Sequence, residues 1–185
     1  MHTEYDIYYI YETEFKHVLS ENEANQCKGP ITYDELDKAV TDMKLNKSPG
    51  IYGHTVEFCI TFWNNTRSFL FNSFTERMKS KVLFRSQRQC IFSLLYKKGN
   101  PEDLETWHPI SILNIDYKIL AKVLAKRLES VLPLIINCDL QGYVKIRYIG
   151  INIRQSQVVI DYVECLNIDG AVLFVDFKKA FDTVE

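Results

Sequence analysis

The sequence predicts an α+β chain, and three observations carry that reading. Apolar residues recur at the helical period in several segments, as at Leu36, Ala39, Val40 and Met43. Residues 90–96 and 107–113 read as two strands facing each other across a turn. Residues 171–175 form an uninterrupted, β-branched-rich apolar run, the pattern of a strand buried on both faces. With 185 residues there is enough chain for one domain, or one domain and part of another. A composition of 46% hydrophobic and 25% charged residues is ordinary for a chain that builds a core.

Several classes are excluded by composition. No apolar run approaches the roughly 20 residues of a membrane span, and the first residues lack the basic start and apolar centre of a signal peptide. The five cysteines are odd in number, widely spaced and without CxxC pairs, which argues against a disulfide framework, a disulfide-linked partner or a zinc site. An intracellular location, in cytoplasm or nucleus, is the expectation. Net charge is only −2, but it is unevenly distributed. Lys plus Arg against Asp plus Glu count 3 and 10 in residues 1–43, 10 and 2 in residues 44–98, and 9 and 12 in residues 99–185. The central net of +8 is the footprint of a phosphate-binding surface, with Lys47, Arg77, Lys79, Lys81, Arg85 and Arg88 as its candidate nucleic-acid contacts. A solvated helix face of one sign is the alternative.

Taken in order, residues 1–30 read as an acidic, aromatic helix followed by a polar linker from Ser20 to Gln26, ended by Gly29-Pro30. Thr32 and Glu35 match a capping box, opening a helix expected to end near Leu45. A loop with a Pro-Gly turn follows, and past Gly53 the chain reads as helical, its aromatics (Phe58, Phe62, Trp63, Phe69, Phe74) expected in the core. The two strands come next, with Lys97 and Lys98 in their connection and Pro109 restricting the second strand to an edge. Asp116 can cap the strongest amphipathic helix, Tyr117 to about Val131, with Pro133 marking its end. A loop from Gln141 leads to a helix over about Asn152 to Leu166, a turn at 167–170 and the closing strand. Asp176 sits where that strand emerges, a place that holds a carboxylate rigidly; it is equally a preferred cap for a helical turn over 177–182.

Five stretches then carry a resemblance. Asn46-Lys-Ser-Pro-Gly50, Leu94-Leu-Tyr-Lys-Lys-Gly99, Trp107-His-Pro-Ile-Ser-Ile-Leu-Asn114, residues 116–128 and Val175-Asp-Phe-Lys-Lys-Ala-Phe-Asp182 come in the order and spacing of the reverse transcriptase of LINE-type non-LTR retrotransposons. The resemblance covers residue 31 to the end. It implies the fingers and the start of the palm of a right-hand polymerase, with residues 31–169 as the fingers-like region and 170–185 as the first palm strand. It implies template-directed nucleotidyl transfer with an RNA template, a DNA primer, a dNTP and two Mg²⁺ (or Mn²⁺) ions. Asp176 falls on the family's first metal-binding Asp, and the backbone carbonyl of Phe177 on a further metal ligand. Phe181 falls on the aromatic that abuts the incoming sugar, and Lys97 and Lys98 on cations that reach the nucleotide's phosphates. Asp182 follows the pattern without a metal role of its own.

This sequence departs from the family at several of these positions. His108 stands where the family has an Arg, and a mostly neutral imidazole does not reproduce a bidentate phosphate contact. The family's Pro-Gly-Pro-Asp-Gly loop reads Pro49-Gly-Ile-Tyr-Gly53. Asp139-Leu-Gln-Gly-Tyr143 and Ile146-Arg147 replace the usual Asp-Gln-x-Gly-Phe and Gly-Arg elements. A Tyr-x-Asp-Asp sequence, the second catalytic element, does not occur. The expectation is therefore a polymerase fragment, truncated in the palm and inactive alone. The alternative is a non-catalytic, degenerate remnant that at most binds nucleic acid nonspecifically.

Overall fold

The structure, a computed structural model, describes residues 18–167 and 169–176. Contacts divide the chain into two compact units, up to Ile136 and from Asn137 onward. The first unit contains α1 (Glu21–Cys27), α2 (Tyr33–Thr41), α3 (Val56–Thr61), α4 (Trp63–Ser80), β1 (Cys90–Tyr96), β2 (Trp107–Leu113) and α5 (Ile115–Ile135). The second contains α6 (Gly150–Cys165).

Helix α5 is the spine of the first unit, packed by α1 and α2. Its buried stripe of Ile115, Ile119, Leu120 and Val123 has the 3.6-residue period and meets Leu36, Ala39 and Val40 of α2, together with Ile31, Val56, Cys59 and Phe74. A capping box opens α2: the Glu35 amide donates to Thr32 Oγ1, and the Thr32 amide to Glu35 Oε2 at 2.8 Å. The same Glu35 receives Arg127 from α5 in a bidentate pair, at 2.6 and 2.8 Å. Arg127, its side chain 9% exposed, also donates to the carbonyls of Gly29 and Pro30, at 2.9 and 2.8 Å. One guanidinium thus fastens the chain between α1 and α2 onto α5. Asp37 braces α2 to α4 in the same manner, accepting from Trp63 Nε1 at 2.8 Å and from Arg67, whose guanidinium lies over the Tyr33 ring.

The strands form one antiparallel pair, with register from Cys90↔Leu113 to Tyr96↔Trp107. Both expected strands keep their bounds, and Pro109 sits on a strand with one open edge, where its missing donor costs no ladder bond. At the base of this hairpin Asn114 is buried at 3% exposure. Its Nδ2 donates to the Ser86 carbonyl at 2.8 Å and its Oδ1 accepts from the Tyr52 amide at 3.4 Å. Gly50 presses against it: a Cβ there would lie 2.7 Å from both the Cα and the N of Asn114.

Several expectations are corrected. A helix, α1, occupies the segment read as a linker, because Ser20 and Glu23 make a capping box of their own; residues 1–17 lie outside the described residues. Helix α2 stops at Thr41, short of Leu45, and residues 42–45 turn away toward Asn46 at positive φ. The helical region after Gly53 is two helices that meet at Phe62. Of its aromatics Phe74 is core, whereas Phe58, Phe62 and Phe69 are exposed, Phe69 at 76%. Asp116 is not the cap of α5: the helix begins at Ile115, with Asn114 in the cap position and its side chain committed to Ser86 and Tyr52. Pro133 lies inside α5, whose last turn continues because Ile136 N–H still bonds Leu132 O at 3.0 Å. Helix α6 begins two residues before the expected Asn152.

The largest correction concerns the closing run. Residues 171–176 form no strand, and Val172, Leu173, Phe174 and Val175 are exposed. A strand buried on both faces needs ladder partners, and the described residues form only the β1–β2 sheet.

Three stability predictions rest on these contacts. Arg127→Ala leaves Glu35 and two carbonyls without their donor, and should lower the urea unfolding free energy by about 3 kcal/mol. The Glu35 carboxyl is held below its ordinary value, chiefly by the Arg127 hydrogen bond and against some desolvation. A depressed carboxylate stabilises the fold above its unfolded pKa, about 4.3, and loses that contribution as pH falls through its lower folded value. Glu35→Gln should therefore flatten unfolding free energy against pH below about 4.3; an unchanged profile rejects the pairing. Gly50→Ala should cost about 1–3 kcal/mol, since the added methyl meets the Asn114 backbone as well as its Oδ1, which is already held in a hydrogen bond. Thermal unfolding of the variant checks this.

Candidate nucleic-acid interface

The hairpin tip presents Lys97 and Lys98, both exposed. Its turn is cross-braced by the chain's own groups. Lys97 N–H donates to Thr106 O at 3.1 Å, and Tyr96 Oη to Gly99 O at 2.6 Å. Thr106 Oγ1 donates to the carbonyls of Asn100 and Asp103, and Trp107 Nε1 to Pro101 O at 2.9 Å. The Tyr96 and Trp107 rings, paired across the strands, lie 5.3 Å apart. Gly99, at φ +114°, closes the turn in a conformation that disfavours a side chain. His108 is half-buried and pairs with Leu95. By strand alternation His108 and Lys97 fall on one face as diagonal neighbours, within reach of a common ligand.

The basic block is only partly available to a ligand. Arg77 is turned inward, with its side chain 14% exposed, its guanidinium over the Phe84 ring at 3.8 Å, and bonds to Glu76 and the Val82 carbonyl. It holds the end of α4 to the chain that leaves it. Lys79, Lys81, Arg85 and Arg88 are exposed around that same corner, Lys81 in the left-handed conformation that ends α4. Lys47 is exposed on the loop before α3. That loop meets the corner where Tyr52 Oη donates to Gln89 Oε1 at 3.4 Å, next to Arg88. Lys118 on α5 joins in through Nζ, which donates to Ser48 O at 3.0 Å.

Asn114 and Arg127 were not singled out as site or scaffold residues by sequence. For Asn114 a signal existed: it closes the stretch from Trp107 that carries the resemblance. Arg127 lacked one, because a bond spanning 92 residues to Glu35 leaves no local pattern.

Asp176 belongs to the second unit and is exposed, outside regular structure. Phe177, Phe181 and Asp182 lie outside the described residues. Among the described residues no three of His, Cys, Asp and Glu gather as a metal site. A lone exposed carboxylate does not hold two Mg²⁺ ions, so these residues do not fit the metal pair by themselves. All five cysteines are unpaired thiols, and burial and then the nearby Asp116 push the Cys59 thiol up. No described helix is long and apolar enough to cross a membrane.

Comparison with known proteins agrees with the motif reading. Residues 96–185 match the family described as reverse transcriptase (RNA-dependent DNA polymerase). Over 168 residues, 91% of its length, the chain is 38% identical to the Transposon TX1 uncharacterized 149 kDa protein of Xenopus laevis. It spans 13% of that relative's length. The matched family segment begins at Tyr96, at the lysine-bearing tip of the hairpin, and takes in β2, α5, α6 and Asp176. Residues 96–185 therefore belong to the reverse transcriptase family, and the chain around them, with its motifs in LINE-type order, has a transposon protein as relative.

Proposed function

We propose that this chain is part of an RNA-directed DNA polymerase, with residues 31–169 as its fingers-like region and 170–185 as the start of its palm. The observation that carries the reading is the family match from the hairpin's cationic tip onward, a tip braced by the turn's own hydrogen bonds. Template-directed nucleotidyl transfer, with RNA template, DNA primer, dNTP and Mg²⁺ or Mn²⁺, is a property of a longer protein in this reading. Lys97 and Lys98 supply positive charge to the triphosphate, and His108 adds a weaker contact on the Lys97 face. The exposed cations Lys47, Lys79, Lys81, Arg85 and Arg88 hold the nucleic-acid backbone. Asp176, Phe177 and Phe181 are assigned to the metals and the sugar on the family resemblance. In this reading Asp176 is one of the several carboxylates that two metal ions need.

A second reading, a non-catalytic remnant that keeps only nucleic-acid binding, is favoured by one contrast. The loop that departs from the family pattern is still packed, with Gly50 against Asn114 and Tyr52 bonded at both amide and hydroxyl. The fold is retained there, while His108 weakens a contact that matters only for chemistry.

Titrating a labelled RNA–DNA hybrid at two salt concentrations tests the binding surface. Affinity should fall steeply with salt, with a log–log slope of about −0.7 to −0.9 for each phosphate neutralised. Binding that ignores salt, or none at low salt, rejects it. In a chain extended through the rest of the palm, His108→Arg should lower the apparent nucleotide KM by roughly five- to tenfold, as a bidentate charged contact replaces an imidazole. An unchanged KM removes His108 from the nucleotide site.

A further inference from the structure

At the base of the hairpin, away from the lysines, a cavity of about 390 Å³ opens between the Pro-Gly loop, α3, α4 and the start of α5. Its walls are rings. Tyr52 and Phe69 are 54% and 76% exposed, and His54 stacks on Phe58 at 4.7 Å with the planes 20° apart. Polar groups in its mostly apolar lining include Asn114 and Asp116 at the start of α5. These aromatics are not core, and burying them requires a partner with a flat apolar face.

We infer that this cavity receives one unstacked base of a single-stranded nucleic acid, a site separate from the hairpin tip. Three features select that ligand. Exposed rings offer stacking faces that every base can use. The Asp116 carboxylate repels a phosphate but accepts from a base's amino or imino N–H, so the base enters and its phosphates stay outside. Cations neighbour the lining residues: Arg85 precedes Ser86 in the chain, and Lys118, two residues after Asp116, donates to Ser48 O on the loop that carries Tyr52. The volume is at the small end of ligand pockets, which run roughly 300–1,000 Å³. His108 and Leu113 are five residues apart along β2, roughly 17 Å, so one ligand group does not fill both places.

This inference rests on the nucleic-acid reading proposed above, and its test separates the two. The probe is a ten-nucleotide RNA carrying one 5-iodouridine, which photocrosslinks to rings it stacks on, with the same sequence as a duplex for comparison. The expected crosslink falls on Tyr52, His54, Phe58 or Phe69. Phe69→Ala, at an exposed position, should weaken the single strand roughly tenfold and leave the duplex unchanged, with helical circular dichroism intact. Tyr52→Leu, a second removal of a ring, should act in the same direction. If the RNA binds in a salt-dependent way but crosslinks elsewhere, and both variants bind normally, the cavity is not a base site and the broader reading stands. If the RNA does not bind at low salt, both fail.

Discussion

The first unit depends on one guanidinium. Arg127 projects from the middle of α5 and satisfies the Glu35 carboxylate and the carbonyls of Gly29 and Pro30 together. Each acceptor belongs to chain that has no helix partner of its own, or to the helix terminus that Glu35 caps. A residue with five donors in a fixed fork serves these four acceptor atoms and the Cys27 carbonyl, at 3.5 Å, at once; a lysine, with a single point of charge, does not match that geometry. Glu35 therefore has two tasks, capping α2 and anchoring it to α5. Such a coupling makes local helix formation and tertiary docking a single event rather than two.

Asn114 does for the hairpin what Arg127 does for the helices. A two-stranded sheet is at best marginal alone, and this one exposes apolar residues such as Phe92, Leu94 and Leu95. What fixes it is its two ends. At the base, one buried amide ties the Ser86 carbonyl, just before β1, to the Tyr52 amide on the Pro-Gly loop, while Gly50 fills the space beside it. At the tip, hydroxyls and an indole N–H close the turn on itself. The strands between are held as a lever is, by its mount and its head.

Much of this was legible where the determining forces are local. Capping residues, strand alternation and the stripe of α5 are short-range patterns, and they located α2, β1, β2 and the body of α5. The motif order located the lysine-bearing tip. Misreadings arose where a long-range contact decided the outcome. Asn114 cannot cap α5 through its side chain because Ser86 and Tyr52 take its amide, and Phe58, Phe62 and Phe69 face out because the core is already filled by Phe74 and the α2–α5 stripe. The run at 171–175 fails as a strand for the same reason in reverse: its apolar pattern specifies burial, but pairing requires neighbours that no local sequence supplies. Only α1 was missed despite a local signal, since Ser20 and Glu23 are a capping box in plain view.

The contrast between the hairpin tip and Asp176 orders the chemistry these residues can do. At the tip, the turn's conformational freedom is removed by internal hydrogen bonds, so a phosphate that meets Lys97 and Lys98 need only order two side chains. Asp176 brings charge without placement, exposed and outside any strand. Phosphate recognition tolerates that difference, because a cation on a flexible stem still attracts an anion at several ångströms. Two-metal chemistry does not, because its advantage comes from carboxylates that fix both ions against the reacting oxygens. In the proposed reading, then, Lys97 and Lys98 serve recognition as they stand, whereas Asp176 offers the metals a residue type whose geometry other chain must complete.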